Sequence, residues 1–161
     1  MPVIFERLLA AVRKEIRYSG DVVDLVQEQD IPANVFNDNT HSILFGIYKH
    51  GSYVKVGTCD LRIGDDPTLY YAGNIGYNVS PVHRGNGYAY HACRVLLPVA
   101  RDVYGFEKLL ITCSPDNEAS RRTLEKLNGT LLETVPVPED HWLYRRGETI
   151  KNIYEYDLKQ D

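Results

Sequence analysis

The residues best suited to chemistry form a glycine-containing turn at positions 84–89, with the sequence Arg-Gly-Asn-Gly-Tyr-Ala. The turn lies where a strand-like segment gives way to a helix-like one. Gly85 and Gly87 let the backbone approach a ligand closely. The first turn of a helix presents unpaired N–H groups and a partial positive charge. Because Arg84 adds a cation at the same place, the turn predicts a phosphate-binding site.

Three phosphate-binding motifs compete for this turn. A P-loop requires Gly-Lys-Ser or Gly-Lys-Thr after four spacer residues, and the sequence has no such segment. A dinucleotide fingerprint requires a third glycine at the position where this chain has Tyr90. The spacing that remains is Arg-x-x-Gly-x-Ala, formed by Arg84, Gly87 and Ala89.

The segments around the turn carry further motifs in a fixed order. Val-Ser-Pro at 79–81 precedes it, and an apolar run at 108–113 follows it. Next come Asn-x-x-Ser at 117–120 and Glu-Lys-x-x-Gly at 125–129. Together with the turn, these motifs resemble the acyl-CoA signature of the GNAT superfamily of N-acetyltransferases. The resemblance covers residues 42–135 closely and the tail through 158 in outline. More narrowly, the Ile-Thr-Cys end of the run at 108–113 and the closing strand with Tyr-Glu-Tyr look like those of little-characterised bacterial members.

This resemblance implies the fold and the donor site. The expected fold is α+β, with a mixed, mostly antiparallel sheet, a splayed parallel strand pair and flanking helices. The strand ending at Val79 should separate from the strand at 109–113 and admit the pantetheine arm of acetyl-CoA, while a backbone N–H near Val79 polarises the thioester carbonyl. The cofactor-binding residues implied are Val79, Arg84, Gly85, Asn86, Gly87, Tyr88, Ala89, Asn117 and Ser120.

Two of these residues also have an ordinary structural interpretation. Asn117 could serve only to start a helix, and Ser120 could be only a solvated side chain. Neither His83 nor His91 has a metal-ligand spacing with any partner, so we expect no metal site.

The activity that the resemblance implies is direct transfer of acetyl from acetyl-CoA to a primary amine. Many members place a tyrosine, as proton donor to the thiolate, at the position that Leu124 occupies here. Some members place a glutamate base about six residues before the Val79 position, where this chain has Gly73. The general acid and base therefore have to come from elsewhere in the chain.

Replacements for these two groups can be nominated from the sequence. The segment 136–147, between the last two strands, lies where many relatives bind the acceptor, and its Tyr144 is our candidate proton donor. Asp60 and Tyr71 are further candidates, for each of which a structural role competes. Cys113 ends a strand near the expected thioester, so that an acyl-cysteine route competes with a buried structural thiol.

An alternative of a different class is a non-catalytic module that binds or senses acyl-CoA, because it would keep the donor site without an acid or a base. For an enzyme, the acceptor would be the amine of a small molecule or a peptide. The sequence leaves the identity of the acceptor open, and a homodimer is compatible with it.

The elements that must position these residues follow from apolar periodicity. Most apolar segments alternate or are β-branched, as expected for strands, while two have helical spacing. We expect Ser114 to cap the second of the two helices that follow the turn, with Pro115 at its first position. The predicted strands are 22–26, 42–48, 53–61, 70–79, 108–113, 131–135 and 150–158, the last two paired, and the predicted helices are 4–16, 86–103 and the segment after Ser114.

Composition narrows the partners. The chain has 161 residues and a formal net charge of −4, which argues against a nucleic acid as the main partner. It has no apolar run of membrane-spanning length, and its three cysteines show no paired spacing. We therefore expect one cytoplasmic GNAT-like domain over residues 1–161, with no membrane partner and reduced thiols.

Overall fold

The computed structural model describes residues 14–159, which contain two antiparallel sheets. The predicted helix at 4–16 lies almost entirely outside these residues. In the larger sheet, each strand pairs with the next along the chain. Its strands are β1 (Arg17–Ser19), β2 (Val23–Ile31), β3 (His41–Lys49), β4 (Lys55–Ile63) and β5 (Ile75–Val79).

The hairpin predicted from residues 42–61 is confirmed as β3 and β4. Alternate residues of β3, namely Ile43, Phe45 and Ile47, are fully buried and form the centre of the core. The strands are joined through Gly51, which lies in the left-handed region at φ 65°. The period-two burial that the sequence predicted therefore determines which face of the larger sheet packs inward.

Two segments of this sheet depart from the prediction. Strand β2 continues well past the predicted end at residue 26, because its polar second half still pairs with β3 although it buries nothing. The predicted strand at 70–79 is wrong in its first part. That part is a one-turn helix, α1 (Leu69–Ala72), which Asp66 stabilises by accepting the Thr68 N–H at 2.8 Å. Gly73, at φ 78°, ends the helix before β5 begins.

The helix predicted over 86–103 is confirmed as α2 (Tyr88–Asp102). One face is buried against the larger sheet, and this face consists of Ala92, Cys93, Leu96, Val99 and Ala100. No helix within residues 14–159 is long and apolar enough to cross a membrane.

The smaller sheet contains the C-terminal strands in the order β6-β8-β7, all antiparallel. The predicted pairing of the last two strands is confirmed. The strands are β6 (Lys108–Cys113), β7 (Thr130–Pro136) and β8 (Ile150–Asp157), with α3 (Glu118–Lys126) after β6 and α4 (Trp142–Arg145) after β7.

The predicted start of α3 is wrong. The helix is capped by Asn117, not by Ser114, because the Asn117 side chain accepts the Ser120 N–H. The helix is fixed to β8 by the buried Tyr156 hydroxyl, which donates to the Leu124 carbonyl at 2.6 Å. Gly129 makes this contact possible, since a Cβ at that position would lie 2.5 Å from the Tyr156 ring.

The two sheets meet at Asn74, just before β5. Its N–H donates to the Leu110 carbonyl at 2.7 Å, and its side chain accepts the Leu110 N–H at 2.8 Å. No backbone ladder joins β5 to β6, which belong to different sheets. The splayed parallel arrangement of these two strands and the single-domain organisation over 1–161 stay predictions.

Candidate active site

The turn at 84–89 is shaped by two glycines. Gly85 and Gly87 have φ values of 83° and 72°, a region that side chains other than glycine rarely adopt. Gly87 is the N-cap of α2 and contributes no capping side chain, so that the first N–H groups of this helix are left for a ligand. The Arg84 Nε donates to the Val79 carbonyl at 3.0 Å, which fixes the turn to the end of β5.

This turn forms one wall of a cavity of about 470 Å³, which we call the turn cleft. All the predicted cofactor-binding residues line it except Asn86, whose side chain instead donates to the His83 carbonyl. Five further residues complete the lining, namely Tyr77, Asn78, His83, Ala119 and Thr123. The structure therefore brings these residues together, and their contact with acetyl-CoA stays a prediction.

Asn117 combines its two interpretations. Its side-chain oxygen caps α3 by accepting the Ser120 N–H at 3.2 Å, as a helix-starting residue would. Its Nδ2 donates to no residue within 14–159, and both Asn117 and Ser120 line the cleft. The amide group is therefore anchored at one atom and free to donate to a ligand at the other.

A second cavity of about 340 Å³, which we call the charged cavity, lies beside the turn cleft. Four residues line both cavities, namely Tyr77, Asn78, Asn117 and Ser120, and we call them the shared wall. The remaining lining comes from α1, β4, β5, β6, α4 and the start of β8, together with Ser114 and the residues that follow α4. Its charged side chains are Asp60, Arg62, Arg146, Glu148 and Lys151.

The charged side chains of this cavity form two close ion pairs and a longer one between Arg146 and Glu148. Arg62 donates from Nε to Asp60 Oδ2 at 2.7 Å, and it also holds the Ala72 carbonyl at the end of α1. Lys151, whose side chain is 7% exposed, donates to Glu148 at 2.8 Å. Burial raises the pKa of the Asp60 carboxyl, although Arg62 acts in the opposite direction.

Arg146 and Trp142 lie at the rim of the charged cavity. The guanidinium carbon of Arg146 is 5.4 Å from the centre of the indole ring, and its Nε is 3.8 Å from Glu148. The part of segment 136–147 that borders a cavity is therefore Trp142, Leu143 and Arg146.

Tyr77 is a site residue that the sequence analysis did not single out. Its hydroxyl is buried and has no hydrogen-bond partner within residues 14–159. Burial raises the pKa of the phenol, although the neighbouring Ser120 side chain acts in the opposite direction. No spacing in the sequence marks Tyr77 as a site residue, because a tyrosine in a strand is ordinarily a core residue. Its place in the shared wall becomes apparent only in the structure.

The other nominated groups are placed less directly. Tyr144 lies in α4 and lines neither cavity, so that its assignment as proton donor stays a prediction. The Tyr71 ring packs edge-on against His141 at 5.6 Å. Cys113 does line the charged cavity, but burial raises the pKa of its thiol, which disfavours the thiolate that an acyl-cysteine route requires.

Comparison with known proteins decides the family. Residues 5–130 match the family model described as the acetyltransferase (GNAT) domain. The chain belongs to the GNAT acetyltransferase family. No curated protein matches the chain significantly.

Solved GNAT-fold structures share this architecture. A GNAT-family acetyltransferase from Bacillus anthracis aligns at 20% identity and a TM-score of 0.57, over 73% of this chain and 67% of that one. The microcin C7 self-immunity acetyltransferase MccE, solved with acetyl-CoA and AMP, aligns at 23% and 0.55, over 72% and 61%. The ribosomal-protein-S5-alanine acetyltransferase from Vibrio fischeri aligns at 18% and 0.59, over 74% and 63%. The chain thus spans roughly three fifths to two thirds of these chains, and the likeness shows the fold.

Within the GNAT fold, the positions of the two missing catalytic groups are structural here. The Leu124 side chain is fully buried, and its carbonyl accepts the Tyr156 hydroxyl. Gly73 ends α1, and a Cβ there would lie 3.1 Å from the Leu110 carbonyl oxygen. Neither leucine nor glycine has a side-chain group that can donate or accept a proton.

Proposed function

We propose that this protein is an acetyl-CoA-dependent N-acetyltransferase, which transfers acetyl directly to the primary amine of a small molecule or a peptide. The observation that carries the proposal is the shared wall between the turn cleft and the charged cavity. A thioester at the inner end of the cleft and an amine in the cavity would meet across Tyr77, Asn78, Asn117 and Ser120. Two separate substrates that react directly require such adjacent sites.

The turn cleft suits a pyrophosphate. A Cβ at Gly85 would meet nothing within 4 Å, and a Cβ at Gly87 would first meet the His91 ring at 3.7 Å. The space above the turn is therefore open, while the N–H groups of α2 and the Arg84 guanidinium supply positive charge. Asn117 Nδ2 would donate to the pantetheine arm of acetyl-CoA.

The acceptor side is consistent with more than one class of amine. Among the structural relatives, one is named as acetylating an alanine of ribosomal protein S5, and another confers self-immunity to microcin C7. The charged cavity of this chain could receive either a peptide N-terminus or a small amine. We expect a panel of Ala-initiated peptides and small primary amines to contain a substrate, detected by release of the CoA thiol.

Donor binding is tested first by thermal unfolding. Because acetyl-CoA would bind only the folded chain, CoA at about a hundred times its Kd should add roughly 2.7 kcal/mol to the free energy of unfolding. The matched variants are Gly87→Glu and Gly105→Glu, at positions with φ values of 72° and 76°. Both strain the backbone alike, but only Gly87→Glu places a carboxylate in the cleft, so that it alone should abolish the shift. An unmoved parent, or equal binding by both variants, contradicts the proposal.

The non-catalytic acyl-CoA-binding module is the second candidate. It is favoured by the structural use of Leu124 and Gly73 described above. Binding of acetyl-CoA without thiol release across the amine panel would favour it over the enzyme. For the enzyme, Tyr144→Phe tests the nominated donor, because an unchanged turnover with chemistry limiting the rate excludes that phenol.

A further inference from the structure

We propose that the Asp60 carboxylate receives the amino group of the acceptor and takes the proton that this nitrogen loses as the amide forms. The inference rests on the proposed function, since it names the group that serves as base in the charged cavity. The inference places the general base on β4, because Gly73 has no side chain that could accept a proton.

The placement of Asp60 depends on a glycine in the neighbouring strand. Asp60 pairs with Gly76 across β4 and β5. A Cβ at Gly76 would lie 2.7 Å from Asp60 Oδ1 and 2.5 Å from Arg62 Nη2. A side chain at position 76 would displace both groups, so the glycine leaves room for the carboxylate over β5, in the cavity that the shared wall also lines.

One oxygen of Asp60 is available to a ligand. Arg62 Nε occupies Oδ2 at 2.7 Å, whereas the contact from Arg62 Nη2 to Oδ1 is 3.5 Å long. No other side chain or N–H within residues 14–159 donates to this carboxylate. Since an ionised carboxylate can accept about four hydrogen bonds, Oδ1 can accept from an amine.

The other carboxylate of the cavity is already engaged. Glu148 accepts from the buried Lys151 at 2.8 Å and lies 3.8 Å from Arg146. Asp60 is therefore the carboxylate of the cavity that is left to receive a cationic amine. The titratable and charged groups that face Asp60 are Arg62 on β4, Tyr77 on β5, Cys113 on β6, and Arg146, Glu148 and Lys151 around α4 and β8.

The step balances without a further reactant. The bound ammonium first releases one proton to solvent, and the neutral amine nitrogen then forms a bond to the acetyl carbon while the carbonyl π pair moves to oxygen. When this pair returns, the C–S bond breaks and its electrons leave on sulfur. The surplus proton on nitrogen passes to Asp60 Oδ1, and solvent later removes it from Asp60 and protonates the CoA thiolate, for which an unperturbed thiol pKa of about 8.5 suffices.

Burial supports this role. It raises the pKa of Asp60 despite the Arg62 cation, and a carboxylate with a raised pKa is a stronger base. Asp60 must be ionised to act, so kcat/KM should be full above its raised pKa and fall as the pH drops through that value. If Asp60 were only a structural partner of Arg62, kcat/KM would show no such decrease at low pH, which we call the acid limb.

Three variants separate the two roles of Asp60. Asp60→Asn should lower kcat/KM by about 10²- to 10⁴-fold and remove the acid limb, with the CoA-induced thermal shift unchanged. Arg62→Gln keeps the carboxylate but removes the cation that lowers its pKa, so the acid limb should move to higher pH. The double variant should be as slow as Asp60→Asn. Recovery of activity in the double variant would show that Asp60 serves only to neutralise Arg62, and overturn the inference.

A readout independent of turnover uses the carboxyl itself. With ¹³C-labelled aspartate, the Asp60 Cγ resonance reports its pKa, which bound n-butylammonium should lower because a nearby cation stabilises the charged form. An Asp60 pKa that neither n-butylammonium nor any panel amine moves overturns the inference, even if no acceptor turns over. Loss of CoA binding by the parent would instead contradict the proposed donor, so that the two failures are distinguishable.

Discussion

Two carboxylates of the larger sheet, Asp24 on β2 and Asp60 on β4, show how the same side chain is used in opposite ways. Asp24 is 1% exposed and accepts from four groups: the Arg17 guanidinium at 2.9 Å, His50 Nδ1 at 2.8 Å, and the N–H groups of Gly51 and Gly20 at 2.9 and 3.3 Å. Within residues 14–159, the Asp60 carboxylate has Arg62 as its one hydrogen-bonding partner, and it lines a cavity.

The pKa values follow this difference. Burial acts to raise the pKa of both groups. At Asp24 the hydrogen bonds from Gly51, His50 and Arg17 outweigh it, and the pKa falls to about 2. At Asp60 burial prevails and the pKa rises. A saturated carboxylate stabilises the fold, whereas an unsaturated one keeps an oxygen for a ligand.

The largest effect should come from replacing the saturated carboxylate. Asp24→Asn removes the charge and turns an NH₂ group toward the donors Arg17 and Gly51, so that it should cost about 3 kcal/mol of the free energy of unfolding. Asp60→Asn should cost less than about 1 kcal/mol, because one partner of a partly exposed pair is lost. Urea unfolding measures both, and equal losses would break the comparison.

An exposed pair provides the control for this measurement. Asp102, whose side chain is 62% exposed, pairs with Arg101 at 2.7 Å. Asp102→Asn removes the same charge without uncovering a buried donor, so its cost should stay within about 1 kcal/mol.

The pH dependence of the free energy of unfolding should also show how strongly Asp24 stabilises the folded chain. Its pKa is lowered in the folded chain from 3.8 to about 2, so its contribution is present above pH 3.8 and is lost as the pH falls through about 2. Because one pH unit corresponds to about 1.4 kcal/mol, this contribution is on the order of 2 kcal/mol. The free energy of unfolding should therefore fall more steeply over this window in the parent than in Asp24→Asn. Parallel curves would mean that Asp24 is no better satisfied in the folded chain than in the unfolded one.

The sequence predicts one wall of the turn cleft because residues 84–89 form a continuous segment whose shape depends on its own backbone. Arg84, Gly87 and Ala89 have fixed spacing whatever the rest of the chain does. The hairpin of β3 and β4 and the buried face of α2 were also predictable, since their periodicity is local.

The charged cavity could not be predicted in the same way. Asp60 and Arg62 are two residues apart on one strand face, which is typical of an exposed ion pair. What makes the pair part of a cavity is Gly76 on the next strand together with residues from β6, α4 and β8, and these contacts are long-range. The helix α1 was missed because one turn of Leu-Tyr-Tyr-Ala has strand-like composition and no measurable period.

The smallest predicted effect concerns a phenol at the point where the two cavities meet. Tyr77 and Tyr156 are both largely buried tyrosines, but among the residues from 14 to 159 only the Tyr156 hydroxyl finds a hydrogen-bond partner, the Leu124 carbonyl at 2.6 Å. Tyr156→Phe leaves that carbonyl unpaired and should cost about 1–2 kcal/mol. Tyr77→Phe removes an unsatisfied hydroxyl and should be neutral or stabilise the ligand-free chain by up to about 1 kcal/mol.

With CoA or acetyl-CoA bound, Tyr77→Phe should become less stable than the parent if the Tyr77 hydroxyl donates a hydrogen bond to this ligand at the shared wall. Its raised pKa keeps the phenol protonated, so that it can hold a hydrogen bond to sulfur but is a poor source of a proton. The ligand-induced thermal shift of Tyr77→Phe should therefore be smaller than that of the parent, whereas Tyr156→Phe should keep the full shift. An equal ligand-induced shift in all three proteins would assign Tyr77 to packing alone and leave Asn117 and Ser120 as the polar groups of the shared wall.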